Sequence, residues 1–226
     1  AGLPGVAQAN WNSLRGTAGA ASGLTADNGN KAEATGTIVQ WNAANTWSST
    51  GRGEENNKFA TNASRSIMTG YLDTPSSGTT TVSILGVPAA LTASGYDVYV
   101  YALGGVGGRG GAYRIVEANT RAVLKDYVRG QSPANPTDFV EIPAVPGSTN
   151  YAAGTYLVFK GLKAANITIE ATTAGGLGFS GTPRAPINAV QLVAPPTVAM
   201  PSAFALTVNG IQDTADQANT IAANTQ

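Results

Sequence analysis

Histidine and cysteine are both absent from the chain. Their absence excludes imidazole general bases, Cys–His nucleophile pairs, thiolate or imidazole metal sites, haem ligation and disulfides. Charge is scarce as well: charged residues make up 12%, half the usual ~25%. The 13 basic residues are balanced by 13 acidic ones. A chain without a basic excess lacks the footprint for nucleic acid or an anionic membrane surface. No run of about 18 apolar residues is present, so no membrane-spanning helix is expected. Lys and Glu are sparse while Thr, Asn and Gly are abundant, which suits an extracellular surface. A start at Ala1-Gly2-Leu3-Pro4 is what signal-peptidase cleavage leaves, so the expectation is a secreted, cell-surface protein.

What is present is a long series of short β-branched or aromatic runs, separated by Gly, Pro, Asn and Ser. They are Thr37–Trp41, Ser66–Leu72, Thr79–Leu85, Tyr96–Leu103, Ala112–Glu117, Ala122–Val128, Phe139–Ile142, Thr155–Phe159, Ile167–Ala171 and Ile187–Val193. Period-two alternation supports several: Val82 and Ile84 oppose Thr81 and Ser83, and Ile167 and Ile169 oppose Thr168 and Glu170. Tyr96-Asp-Val-Tyr-Val-Tyr101 is apolar on both faces apart from Asp97, which predicts a central strand covered on both sides. Helical periodicity is almost missing before residue 194, and no internal repeat is visible. The 28 Gly and 12 Pro suit many short turns. The fold class is therefore all-β: a single β-sandwich of jelly-roll, galactose-binding-like type over residues 1–194.

Composition changes at Ala194-Pro195-Pro196, since a Pro pair ends a strand. Residues 195–226 read as an extended tail. A strand is expected over 203–209, with Phe204, Leu206 and Val208 on one face. Asn209-Gly210 then turns the chain into a short, weakly apolar helical stretch that starts at Ile211. Such a strand can pair with an edge of its own sandwich. Added instead to a neighbour's edge, it builds a head-to-tail polymer.

Five features invite functional readings. Gly105-Val-Gly-Gly-Arg-Gly110 matches G-x-G-x-x-G, but the dinucleotide fingerprint needs a helix after the third Gly. A strand pattern follows here, so the run is expected to be a hairpin loop with Arg109 at its tip, able to touch a ligand. Asp27-Asn28-Gly29-Asn30 gathers hard oxygens in a turn. Calcium takes about 6–8 such oxygens, so Asp27, Asn28 and Asn30 are candidate ligands for a structural calcium. The simpler reading is an Asx turn, and no other cofactor is expected. Trp47 sits in the polar stretch Asn45-Thr46-Trp47-Ser48-Ser49, expected to be a loop, where an aromatic face can stack on a sugar or anchor the loop to the core. Glu54, Glu55, Glu117, Glu141, Glu170 and Asp97 are the acids from which a glycosidase pair would be drawn. Such a pair needs about 5–5.5 Å or 6.5–9.5 Å separation in a cleft, and no catalytic role is assigned to them. Asn62-Ala-Ser64 and Asn166-Ile-Thr168 match the N-glycosylation sequon.

Asn10-Trp11-Asn12, Tyr96-Asp-Val-Tyr-Val-Tyr101, Asn150-Tyr151 with Tyr156-Leu-Val-Phe159, and Arg184-Ala-Pro-Ile-Asn-Ala-Val-Gln-Leu-Val193 occur in an order that resembles a family of exported bacterial domains. These are common in the surface proteins of planctomycetes and verrucomicrobia and are similar to galactose-binding-like β-sandwiches. The resemblance covers residues 5–194. It implies an extracellular module without a catalytic motif. The C-terminus departs from versions that end in an apolar anchor and a basic end. The expected function is a secreted subunit that assembles with copies of itself into a filament or surface layer by donating a strand. In that reading Phe204, Leu206, Val208 and Ile211 make the assembly contact. The alternative is a non-catalytic carbohydrate-binding module, with Trp47 and Arg109 against a surface glycan.

Overall fold

A computed structural model of the chain describes residues 1–27, 29, 31, 36–49 and 56–195. The expected tail strand, with Phe204, Leu206, Val208 and Ile211, lies outside the described residues, as do Asn28, Asn30, Glu54 and Glu55. In chain order the described strands are β1 (Ala18–Ala21), β2 (Ile38–Asn42), β3 (Asn45–Ser48), β4 (Gly70–Asp73), β5 (Thr79–Leu85), β6 (Tyr96–Tyr101), β7 (Arg109–Glu117), β8 (Val123–Gln131), β9 (Ala152–Ala153), β10 (Tyr156–Leu162), β11 (Asn166–Thr172), β12 (Thr182–Pro183) and β13 (Ala189–Val193). Two short helices, α1 (Asn62–Ile67) and α2 (Ala89–Ser94), interrupt them.

The strands form an all-β sandwich. The larger sheet has the order β1-β2-β5-β11-β7-β8-β9, and β12 joins β7 at Arg109 and Gly110, beyond the end of β11. The smaller sheet has the order β10-β6-β13, and β3 and β4 form a separate pair. Alternation dictates what each sheet buries. Thr80, Val82 and Ile84 of β5 are buried while their neighbours face outward. With Ile167 and Ile169 of β11 and Tyr113 and Ile115 of β7 they meet Val98, Val100, Leu157 and Phe159 of the smaller sheet. Each such aliphatic side chain, fully buried, contributes about 1.5–3 kcal/mol.

The smaller sheet is also covered on its other face. Tyr101, Tyr156 and Val158 pack there with Phe59, Met68 and Leu103, and Leu3, Trp11 and Phe139 close over them. Strand β6 is therefore central, with one face buried and the other covered at Tyr101, while Asp97 and Tyr99 stay half-exposed. The opening segment is tied to this layer. Leu3 N donates to the Tyr101 hydroxyl at 3.1 Å, and the Gln191 amide donates to Val6 O.

Several sequence expectations need correction. Ser66–Leu72 is not one strand: α1 runs through Ile67, Met68 turns inward with no exposure, and β4 starts only at Gly70. The cause is local, because the Thr61 hydroxyl accepts the Ser64 N–H at 3.1 Å and caps a helix there. Phe139–Ile142 makes a single bridge, Glu141 to Tyr156, rather than a ladder. Trp47 is not in a loop but in β3, opposite Tyr71 of β4. Arg109 is not at a loop tip but opens β7. Strands β1, β3, β9 and β12 carry no alternation that would announce them.

Candidate functional site

Trp47 and Arg109 converge on Tyr71. Trp47 and Tyr71 are cross-strand partners on β3 and β4, so their side chains share one face. The buried Tyr71 hydroxyl accepts from Arg109 Nη1 at 2.6 Å and from Gly105 N at 3.1 Å. Asn56 supports the same end of the sandwich: its amide donates to Gly104 O at 3.1 Å and Pro133 O at 2.9 Å, and its carbonyl accepts from Asn135 N. The glycine-rich run is thus a pinned connection, and a strand follows it where the dinucleotide fingerprint requires a helix. Tyr71, which links the two residues, carries no sequence signal beyond its place in an apolar stretch.

Asp27 stands apart from that cluster. Its carboxylate accepts the backbone N–H groups of Ala9 and Asn10, and the Asn10 amide donates to its carbonyl. Asn12 adds a reciprocal pair, donating to Thr25 O and accepting from Thr25 N, both at 2.9 Å. Asp27 therefore clamps the opening segment in the manner of an Asx motif. Among the described residues no group of three or more Asp and Glu side chains gathers as a metal site.

Three of the described acids, Asp97, Glu117 and Glu170, have separate engagements. The Asp97 carboxylate accepts Gly161 N at 2.8 Å where β10 bulges. Glu117 accepts the Thr120 and Asn119 N–H groups at 2.6 and 2.8 Å, and these bonds hold its carboxyl below the usual range. Glu170, buried on the outer face of the large sheet, receives Arg114 Nε at 2.5 Å and the Arg121 guanidinium. The Arg114 guanidinium in turn stacks on the Tyr127 ring, 4.7 Å from its centre. Burial pushes the Tyr96 and Tyr101 phenols up to about 12, and Tyr113 higher still. Of the two sequons, Asn62 is exposed at the start of α1. The Asn166 side chain is occupied by Gly86 N at 3.0 Å, and its Thr168 is buried.

The sheet margins are the other chemically open feature. Strand β1, Ala-Gly-Ala-Ala, has β2 as its only strand partner among the described residues. Gly19 lies opposite Trp41, and a Cβ there would stand 2.5 Å from the Trp41 ring, so only glycine lets the indole lie across the edge. Trp41 Nε1 donates to Gly16 O at 3.1 Å and stays half-buried against the core. Among the described residues no helix is long and apolar enough to cross a membrane. Comparison of the chain with protein families, with curated proteins and with solved structures finds no match.

Proposed function

We propose that the chain is an exported, non-catalytic structural subunit that joins copies of itself by adding a strand to a sheet edge. The observation that carries this reading is the character of β1. An edge strand presents unpaired N–H and C=O groups, and proteins usually guard it with Lys, Pro, a bulge or a covering segment. Strand β1 has no charge and no proline, and its register with β2 is regular over all four residues. Its inward-facing Gly19 and Ala21 leave the apolar margin of Trp41 and Val39 thinly covered. An incoming strand with apolar side chains at every second position would extend that face. Phe204, Leu206 and Val208 have this spacing in the sequence. Low overall charge also keeps repulsion between copies small.

Electron microscopy and light scattering test the reading, applied to the full chain, to a chain ending at Ala194 and to an Ala18→Lys/Ala20→Lys variant. Filaments or large particles in the full chain that vanish in both variants are expected. A monodisperse full-length monomer overturns the proposal. Assembly that persists in the truncated chain removes the tail as donor.

A further inference from the structure

The outer face of the large sheet is polar, yet most of its polar groups bond to one another. The Ser83 and Thr168 hydroxyls pair at 2.8 Å, those of Thr79 and Thr172 at 2.7 Å, and Glu170 is held by two arginines. The exception lies over β1, β2 and β5. A shallow trough of about 310 Å³ is formed there, and its wall includes Ala20, Gln40, Trp41, Asn42, Thr81 and Ser83. Gln40 and Asn42 are exposed, and neither their amides nor the Thr81 hydroxyl has a hydrogen-bond partner among the described residues. The trough exists because β1 contributes only Ala18 and Ala20 beside the longer Asn42 and Gln40, their cross-strand partners.

We infer that this trough binds a neutral polyhydroxylated ligand, a segment of uncharged polysaccharide. Each amide offers two donors and an acceptor, which matches vicinal hydroxyls that donate and accept at once. Gln40 and Asn42 lie two residues apart on one face, about 6.7 Å along the strand, so one chain of sugars reaches both. The Thr81 and Ala20 methyl groups give the ring C–H faces an apolar floor. None of the wall residues is charged. The Glu170 carboxylate, across from Thr81, is already engaged by Arg114 and Arg121. Among the described wall residues an acidic or basic ligand thus finds no counter-charge. The inference does not rest on assembly, because its hydrogen-bonding groups, Gln40 and Asn42, sit on β2, while Ala20 of the edge strand forms part of the wall.

Native gel electrophoresis through soluble β-glucan, galactan, mannan or dextran tests it, with polygalacturonate as the charged arm. The full chain is expected to be retarded by at least one neutral polymer. Gln40→Ala/Asn42→Ala should weaken that retardation about tenfold, the loss of two modest hydrogen bonds. Asn42→Ala alone should weaken it less, and both variants should keep the parent melting temperature because the two side chains are exposed. Three results overturn the inference: no retardation in any neutral gel, retardation by polygalacturonate only, or undiminished retardation of the double variant. A chain that binds polysaccharide without forming filaments refutes the assembly proposal and leaves this one standing.

Discussion

The Tyr101 hydroxyl donates to Gln191 Oε1 at 2.7 Å and accepts Leu3 N at 3.1 Å, so one phenol on β6 joins β13 to the first residues. Gln191 is almost fully buried, and its amide goes on to Val6 O. Tyr101→Phe keeps the ring against Trp11 and Phe139 but strands both partners. The expected cost is about 1–3 kcal/mol in urea unfolding, the usual penalty for a buried polar group left unmade. Faster amide exchange at residues 3–8, ahead of global unfolding, should accompany it. A variant as stable as the parent would show that water replaces the phenol at no cost.

Glu170 is a buried carboxylate shared by two arginines that remain partly open to solvent, at 28% and 51% exposure. Breaking a fully buried pair costs about 3–5 kcal/mol, and solvent screening reduces this to about 2 kcal/mol for Glu170→Gln. Arg121→Ala, at the more exposed partner, is expected to cost less than about 1 kcal/mol. Denaturant melts at low and high salt check both values, and the Glu170 effect should shrink only slightly with salt.

Alkaline titration should expose the buried phenols. A folded-state pKa above the ordinary 10 means that the fold favours the neutral phenol. That stability is whole below about pH 10 and is lost as pH climbs through about 12, the value for Tyr96 and Tyr101. Tyr113 lies beyond that range and is held neutral by complete burial. Of the eight tyrosines, Tyr96 and Tyr101 should yield tyrosinate absorbance only as pH nears 12, and Tyr113 only once the chain unfolds. Smooth titration of all eight with native circular dichroism would contradict the burial assigned to them.

Asp27→Ala removes the acceptor of two backbone N–H groups and frees the turn at Ala9 and Asn10. A loss of about 1–2 kcal/mol is expected, similar to deleting a helix cap. The loss should be the same with calcium or with a chelator, read as the melting temperature. A calcium-dependent difference in the parent chain that disappears in Asp27→Ala would make this carboxylate an ion ligand as well as a clamp.

Much of the fold was legible because β-branched residues alternate where one face is buried. Strands β5 and β11 lie where Val82, Ile84, Ile167 and Ile169 place them. The central place of β6 was legible from its apolar run, broken by Asp97 alone, although Asp97 and Tyr99 stay half-exposed. The small-residue strands were not. Gly110 and Gly111 belong to β7 because Phe179 and Ala185 pack against the places where Cβ atoms would stand, at 2.8 and 2.7 Å. Only the tertiary partner reveals that those glycines form a strand rather than a loop. The candidate sites divide the same way. Trp47 and Arg109 could be named from the sequence, but their common partner Tyr71 could not, since it lies on β4, far from both along the chain. Gln40 and Asn42 look like ordinary solvent-facing residues until Ala18 and Ala20 are seen opposite them.

The order β10-β6-β13 sets the timing of folding. The middle layer of the molecule is built from residues 96–101, 156–162 and 189–193, and no two of these strands are joined by a tight turn. Such long-range closures are slow, since each loop must be fixed before its contacts repay the lost entropy. A chain emerging from the ribosome cannot complete this layer before Val193 has been made. Until then the apolar side chains of β6 lack their β13 neighbour, and the partly folded chain is exposed to aggregation.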